Sequence, residues 1–488
     1  MESKIWLKPA EGAKLDKLKA MSEKSGDAVL LECLFLDTAD ADLLSNNIVL
    51  VLCAGPNGLS QMAVLEDPAD CAAREAVSAL PQNGFEPSQF PQEISQKISA
   101  VMQDKRLQLQ FAAAFEQKTR LVSEGEGAQY QLVHMLGRFE DDDLKGELRA
   151  LELKSMGKPA QPLDVYAARL AREASLERCG SPWFEALRVK ASGFQPVNPE
   201  KKLKKYADMG AMQPPAAQLF ALMKAYIALS AYSFERTAVH KLRVEARKMM
   251  ATVDAYEAYF GDKTARYLED LQRLIDDTDE ARHADLLDEE VGLIYALNPQ
   301  IDFSSLQQKL TEKRAAFRDS IREAYMQGKF SDGIVAMWTD IHVKAAAEAS
   351  GDNRSTQEAL EKVKAWIAEL NTFKKSGMSD PEKVHAYRVL VRKVRYALEN
   401  MDAMIPRRAL KAAEGLKKIQ DELGMLCDVS QHMTLLHSLA AESGDADFAY
   451  RCGVCAGIFS GCQQEIYREA VEVWKDYRGD IRMLEELL

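Results

Sequence analysis

The feature that most constrains this chain is that it repeats itself. "VHKLRVEARKMMATVD" at 239–254 and "VHAYRVLVRKVRYALE" at 384–399 align at a constant displacement of 145 positions, which superposes His240 on His385, Arg243 on Arg388, Arg247 on Arg392 and Lys248 on Lys393. The apolar stripe through Leu242, Ala246, Met249 and Val253 recurs with them, and "LQRLIDDTDEARHADLL" at 271–287 lies opposite "LKKIQDELGMLCDVSQH" at 416–432 at the same displacement. Two copies of a multi-helix unit in one register predict a pseudo-twofold helical bundle.

Within each copy the period is helical. At about 100° per residue, His385, Arg388, Arg392 and Arg395 fall within a quarter of the helix circumference, and Tyr387, Leu390, Val391, Val394 and Leu398 fall opposite. On one helix such a basic face reads as solvated surface. Its return at the same spacing in a second helix points to a purpose. The chain carries 63 basic against 75 acidic residues, net −12, so its overall field repels nucleic acid and membrane surfaces. Any anion site must therefore be a local concentration of positive charge.

A length of 488 residues allows two or three domains. Residues 1–197 carry strand signals: "KIWLK", "VLLECLFLDT", "NNIVLVLCAG" and "LSQMAVLED", then "LQLQFAAAFEQKTRLV", "QYQLVHMLGRFE" and "LRALELKSMG", with one amphipathic helix in "LDVYAARLAREASLE". They predict a mainly antiparallel β domain. A lysine-rich stretch at 198–214 reads as a basic linker. From 215 to 488 long helical periods dominate, dividing into repeats at about 215–345 and 355–488. The expected class is α+β in two domains.

The doubled pattern His-x-x-Arg-Val-x-x-Arg-Lys, with "LKKIQDELGMLCDV" following the second copy, resembles the CHAD family, the conserved-histidine α-helical domain. The second copy matches through His385, Arg388, Arg392, Lys393, Arg395, Tyr396 and Glu399, and the first through His240, Arg243, Arg247, Lys248, Arg282 and Asp285. The first departs at Met250, opposite Arg395, and at His283, where an acid is expected. The resemblance implies a bundle of two pseudo-symmetric halves that binds inorganic polyphosphate, with His240, Arg243, Arg247, Lys248, Arg282, His385, Arg388, Arg392, Lys393 and Arg395 as the binding set. Such a ligand suits the chemistry. A linear polyanion needs a track of cations, and guanidinium forks grip non-bridging oxygens with charge-assisted hydrogen bonds. Arg395 with Glu399 is also an i,i+4 pair of the helix itself, and the two histidines could orient arginines instead of touching phosphate.

The N-terminal region is similar to the CYTH family of triphosphate-binding β-tunnel enzymes through Phe35, Asp37, Thr38, Lys118, Arg120, Glu152 and Lys154. The positions on which that family's catalysis rests differ. The strand expected to read Glu-x-Glu-x-Lys is Lys4-Ile5-Trp6-Leu7-Lys8, the strand expected to carry paired arginines is Val49-Leu50-Val51-Leu52-Cys53, and the later acids are reduced to Leu148, Ala150 and Glu152. Without carboxylates the divalent metal such chemistry needs has no ligands. A degenerate, catalytically silent tunnel is expected, with Lys8, Lys118, Arg120 and Lys154 either lining a remnant or lying on the surface.

The expected function is therefore polyphosphate binding, without catalysis, cofactor or metal, in the cytoplasm and in association with polyphosphate granules. The N-terminus has no apolar signal region and no run spans a bilayer. Two other classes stay open: a metal-dependent tripolyphosphatase drawing carboxylates from Glu2, Glu32 or the acidic run 140–143, and a helical scaffold for a protein or nucleic-acid partner, the last disfavoured by Tyr396 being the stripe's only aromatic. Cys452-Gly-Val-Cys455 has no second such pair to make a metal site, and His134, His342, His432 and His437 form no ligand pattern.

Overall fold

The computed structural model describes residues 4–10, 13, 24–67, 73–81, 84–124, 128–140, 145–156, 162–192, 214–231, 233–297, 299–347 and 354–488. The basic linker, apart from residue 214, lies outside the described residues, as do Glu2 and 141–143 of the acidic run. The chain divides into two compact units, 1–211 with 325–349, and 212–324 with 350–488.

The first unit is one sheet of nine strands, β1 (Lys4–Pro9), β2 (Lys24–Asp37), β3 (Ile48–Gly55), β4 (Gly58–Glu66), β5 (Ala73–Ala79), β6 (Gln108–Glu124), β7 (Ala128–Glu140), β8 (Lys145–Met156) and β9 (Leu176–Cys179), in the order β5-β4-β3-β2-β6-β7-β8-β1-β9. Every pairing is antiparallel. The sheet curls: Lys4 on β1 forms an ion pair with Glu75 on β5, strands near opposite ends of that order. Among the described residues no ladder joins β5 to β9, so hydrogen bonding leaves the curl open.

Alternation along the strands gives the curl two apolar faces. Its concave face gathers Trp6, Phe35, Val49, Val51, Cys53, Val64, Phe115, Val133 and Ala150 into one core. Into this space the chain inserts Trp183 and Phe184 from the helix Pro182–Ser192, with the Phe115 and Trp183 rings 5.0 Å apart. The convex face presents Ile5, Leu7, Leu132, Leu151 and Leu153 to the helix Leu163–Ala174, where Tyr166 stacks on Tyr130 at 3.9 Å.

A helix from the far side of the sequence belongs to this unit. Ser331–Ala347 packs on β4 and β6 and buries Ile334, Trp338 and Ile341. Its approach is fixed by Gln108, whose side-chain amide donates to the carbonyls of Tyr325 and Met326, and by Ser331, whose hydroxyl accepts the Leu109 amide at 2.8 Å. Gly328 makes the turn at φ +69°, a backbone that other residues adopt at a cost. The sequence reading assigned 325–345 to the first helical repeat. Contacts place it with the sheet because its buried face finds apolar strands there.

The second unit is all helical. We label its principal elements α1 (Pro214–Ala231), α2 (Arg236–Ala255), α3 (Thr264–Asp276), α4 (Asp279–Leu297), α5 (Ser304–Met326, within this unit to Ala324), α6 (Arg354–Thr372), α7 (Pro381–Asn400), α8 (Arg407–Ser443) and α9 (Ala446–Leu487). Both ends of α2 and α7 are related by the 145-residue displacement. The halves differ at their starts and further on. Asp380 caps α7 by accepting the amides of Glu382 and Lys383, with Pro381 at the first helical position, whereas Glu235 makes no such bond for α2. The first half breaks at 277–278 between α3 and α4, where the second continues unbroken through α8. Among the described residues no helix is long and apolar enough to cross a membrane.

Candidate functional site

The two repeated helices, α2 and α7, pack on each other. The displacement that relates them also relates their contacts. Lys248 reaches Glu399 at 3.7 Å and Lys393 forms an ion pair with Asp254, so each repeat's lysine pairs with the other repeat's acid at equivalent positions. This exchange is what a pseudo-twofold axis between the helices requires. Lys393 also lies 3.9 Å above the Trp366 ring of α6. The two lysines therefore act as struts across the axis, although the sequence reading placed them on a ligand-facing stripe.

Arg247 and Arg392 occupy equivalent positions one residue before the struts. Both are half-buried, and neither has a hydrogen bond or ion pair to the described residues. Burial, then the Arg392 and Arg243 charges, push the Arg247 guanidinium down to about 9. Burial, then Arg388, lowers Arg392 as well, against weaker support from Tyr396 and Asp279. Both remain cations at neutral pH. Tyr396 and Asp279 offset the neighbouring positive charge only in part.

The expected basic stripe is in this way neither open nor uniform. Tyr387, Val391, Val394 and Leu398 are buried on the apolar side, but the arginines are drawn against neighbouring helices. Arg388 lies over Gly424 of α8, where an added Cβ would come within 3.3 Å of its Nη2, and it reaches Asp428 at 3.5 Å. Its Nε is buried without a hydrogen-bond partner. Arg395 is occupied, donating to Gln420 at 3.0 Å and to Glu399 at 2.8 Å and lying over Tyr396.

Arg243 corrects the expectation outright. It is 1% exposed, donates to the Ile275 carbonyl at 2.6 Å and the Thr278 hydroxyl at 2.8 Å, and pairs with Asp279. At the break between α3 and α4 the Ile275 carbonyl accepts from the Thr278 amide at 3.2 Å and the Thr278 hydroxyl at 3.0 Å, and this guanidinium adds a further donor to it. It ties the kink and cannot reach an external polyanion. Where the first repeat has Asp279, the second has Gly424, so Arg388, the counterpart of Arg243, lacks that acid, and the Nε of both arginines is buried without a hydrogen-bond partner.

His240 and His385 are both exposed. Burial and then Arg282, Arg247, Arg243 and Arg236 hold the His240 imidazole below its ordinary value. Arg282, on α4, is half-buried and lowered by burial and Arg236, with Asp428 and Asp285 opposing. Asp285 is itself engaged by Arg314 at 2.7 Å. The structure thus brings together Arg247, Arg392, Arg388 and Arg282 as cations incompletely matched by acids, with His240 beside them held toward its neutral form. It assigns Arg243, Lys248, Lys393 and Arg395 to internal pairs. The partners Asp254, Asp279 and Trp366 were not singled out from sequence, although the displacement pairs Asp254 with Glu399, which the sequence reading did single out.

Other candidates are quiet. Burial pushes the Cys452 thiol up to about 11 and the Cys455 thiol up to about 12, against metal or redox chemistry. Among the described residues no group of His, Cys, Asp and Glu could hold a metal ion. His432 is buried beside Glu290 at 3.1 Å, and His342 bridges Glu32 at 2.9 Å and the Trp338 carbonyl at 2.8 Å within the sheet unit. In the curl, Lys154 pairs with Glu152, and Lys8 is 4.0 Å from Glu177. Lys118 and Arg120 stand one residue out of step with Phe115 and so on the convex face.

An antiparallel sheet unit and a helical unit doubled about a cation-rich axis define the class of the molecule. Residues 217–437, somewhat under half of the chain, match the family model of the CHAD domain. No curated protein matches the chain. Solved structures similar to it include a CHAD domain from the plant Ricinus communis (17% identity, 55% of this chain and 91% of that one, TM-score 0.44). Others are a putative adenylyl cyclase from Hippeastrum described as having a dominant triphosphatase activity (16%, 41% and 99%, TM-score 0.28) and a putative adenylate cyclase from Bacillus halodurans (16%, 37% and 93%, TM-score 0.26). None of the three reaches a TM-score of 0.5, and the fold stands on the strand order and the repeat.

Proposed function

We propose that the helical unit binds inorganic polyphosphate, gripping it along the pseudo-twofold axis with Arg247, Arg392, Arg388 and Arg282. The observation that carries this reading is the pair Arg247 and Arg392, half-buried side by side with no acid bonded to either. Like charges held together in a partly desolvated place cost free energy that a bound polyanion offsets. A phosphate chain supplies oxygens at short, regular spacing and has no bases to read, so a row of forks is sufficient recognition. We read the protein as cytoplasmic and as a candidate for polyphosphate granules.

The sheet unit reads as non-catalytic. Val49, Val51, Cys53 and Ala150, which stand where the resemblance would put arginines and an acid, face the concave side and are packed against Trp183 and Phe184. A triphosphate and its metal would have to displace an aromatic core. The lysines there are already paired, Lys4 with Glu75 and Lys154 with Glu152.

Calorimetric titration of the full chain with long-chain polyphosphate at two salt concentrations tests the reading. Binding is expected to weaken with salt, with log K falling by roughly 0.7–0.9 per neutralised phosphate per decade of salt, by analogy with nucleic acids. The double variant Arg247→Ala/Arg392→Ala, with an unchanged circular dichroism spectrum, is expected to lose most of it. Equal binding by wild type and variant would remove the axis from the site.

A further inference from the structure

A recess lies in the helical unit at the end of the α7 cation row. The turn at 378–379, the start of α7, the middle of α8 and α9 together line a cleft of about 440 Å³, inside the roughly 300–1,000 Å³ typical of small-molecule sites. Its wall is more apolar than polar, through Met378, Pro381, Val384 and Leu426, and nearly uncharged. Gln431, Gln463 and Gln464 contribute amides and Ser430 a hydroxyl, Tyr467 contributes a ring, and His385 is the one basic side chain in the lining.

The cleft adjoins the proposed anion site through Cys427. This residue lines the cleft; burial raises its thiol and the neighbouring Arg388 charge opposes the rise, and the buried Nε of Arg388 has no hydrogen-bond partner. The first repeat has no such neutral wall. Arg236, Arg282 and Asp285 stand where the second has Pro381, Cys427 and Ser430, and Asp285 is already bonded to Arg314. Three charges of one half are thus neutral in the other, on the side where the cleft opens.

We propose that the cleft holds the nucleoside of a nucleoside 5′-polyphosphate whose phosphates lie on Arg388 and Arg392. This rests on the anion-binding reading above and extends it to a ligand class. A bare phosphate chain finds only His385 to pair with among the lining residues. A nucleobase edge presents mixed donors and acceptors, which glutamine amides match in either direction, and its face stacks on flat rings such as Tyr467 and His385. Ser430 supplies a hydroxyl partner for ribose.

The test is calorimetry on the full chain with ATP, inorganic tripolyphosphate and long-chain polyphosphate, all without divalent metal. ATP is expected to bind about tenfold or more tightly than tripolyphosphate. Gln463→Ala/Tyr467→Ala is expected to bring ATP down to the tripolyphosphate level while leaving tripolyphosphate within about twofold. ATP binding no tighter than tripolyphosphate, or a variant that lowers both alike, overturns the cleft and leaves the anion track standing. Failure of all three ligands to bind overturns the anion reading and the cleft with it.

Discussion

At the scale of single residues, the ten side chains of the basic pattern do different jobs, and their partners separate them. Arg243 is a structural tie. Arg243→Ala would remove one donor each from Asp279, the Thr278 hydroxyl and the Ile275 carbonyl, and is expected to lower stability by about 1.5–3 kcal/mol in urea denaturation. His240 is the pH-sensitive member. Its protonation is held down by burial and by Arg282, Arg247, Arg243 and Arg236. A bound polyanion would offset those charges and raise it, so binding takes up a proton and tightens as pH falls through the range below about 6.5. In the free protein the sign is opposite. The unfolded chain holds the proton more readily, so stability declines as pH falls through that range. Titrations at pH 6 and pH 8 should differ for the wild type and converge for His240→Gln. A pH dependence that His240→Gln leaves unchanged would assign the proton elsewhere.

At the scale of elements, the pair of repeated helices was legible from sequence because the 145-residue displacement holds at both of their ends. The β character of the N-terminal region was equally legible, since β3, with its continuous apolar run, and the strands beside it show their period directly. Which face of α7 meets solvent was not legible. A basic quarter-turn looks exposed when read alone, and only the neighbouring helices reveal that Arg388 lies on Gly424 and that Lys393 reaches Asp254. The helix Ser331–Ala347 was misplaced for a related reason, because helical period specifies a buried face without naming what covers it. Gly424 offers a test at this scale. In Gly424→Ala the new methyl must displace the far end of Arg388 by a few tenths of an ångström. Stability is expected to change by less than about 1 kcal/mol, since alanine also favours the helix, while polyphosphate affinity falls. Unaltered affinity would separate Arg388 from the ligand.

At the scale of the whole molecule, the two units reflect one sequence economy read in opposite directions. The sheet unit has a core where the resemblance would place charged ligands, and its remaining lysines are internally paired. The helical unit keeps unmatched cations at its axis of pseudosymmetry, the place where a duplicated residue necessarily meets its own copy. On the reading proposed above, retaining Arg247 and Arg392 there costs stability in the free protein, which a bound polyanion would restore. Thermal denaturation of Arg247→Leu/Arg392→Leu beside the wild type, each with and without long-chain polyphosphate, tests this most directly. The account predicts a free variant at least as stable as the free wild type and a ligand-induced rise in Tm that only the wild type shows. A free variant several degrees less stable, with the ligand-induced rise intact, would contradict it.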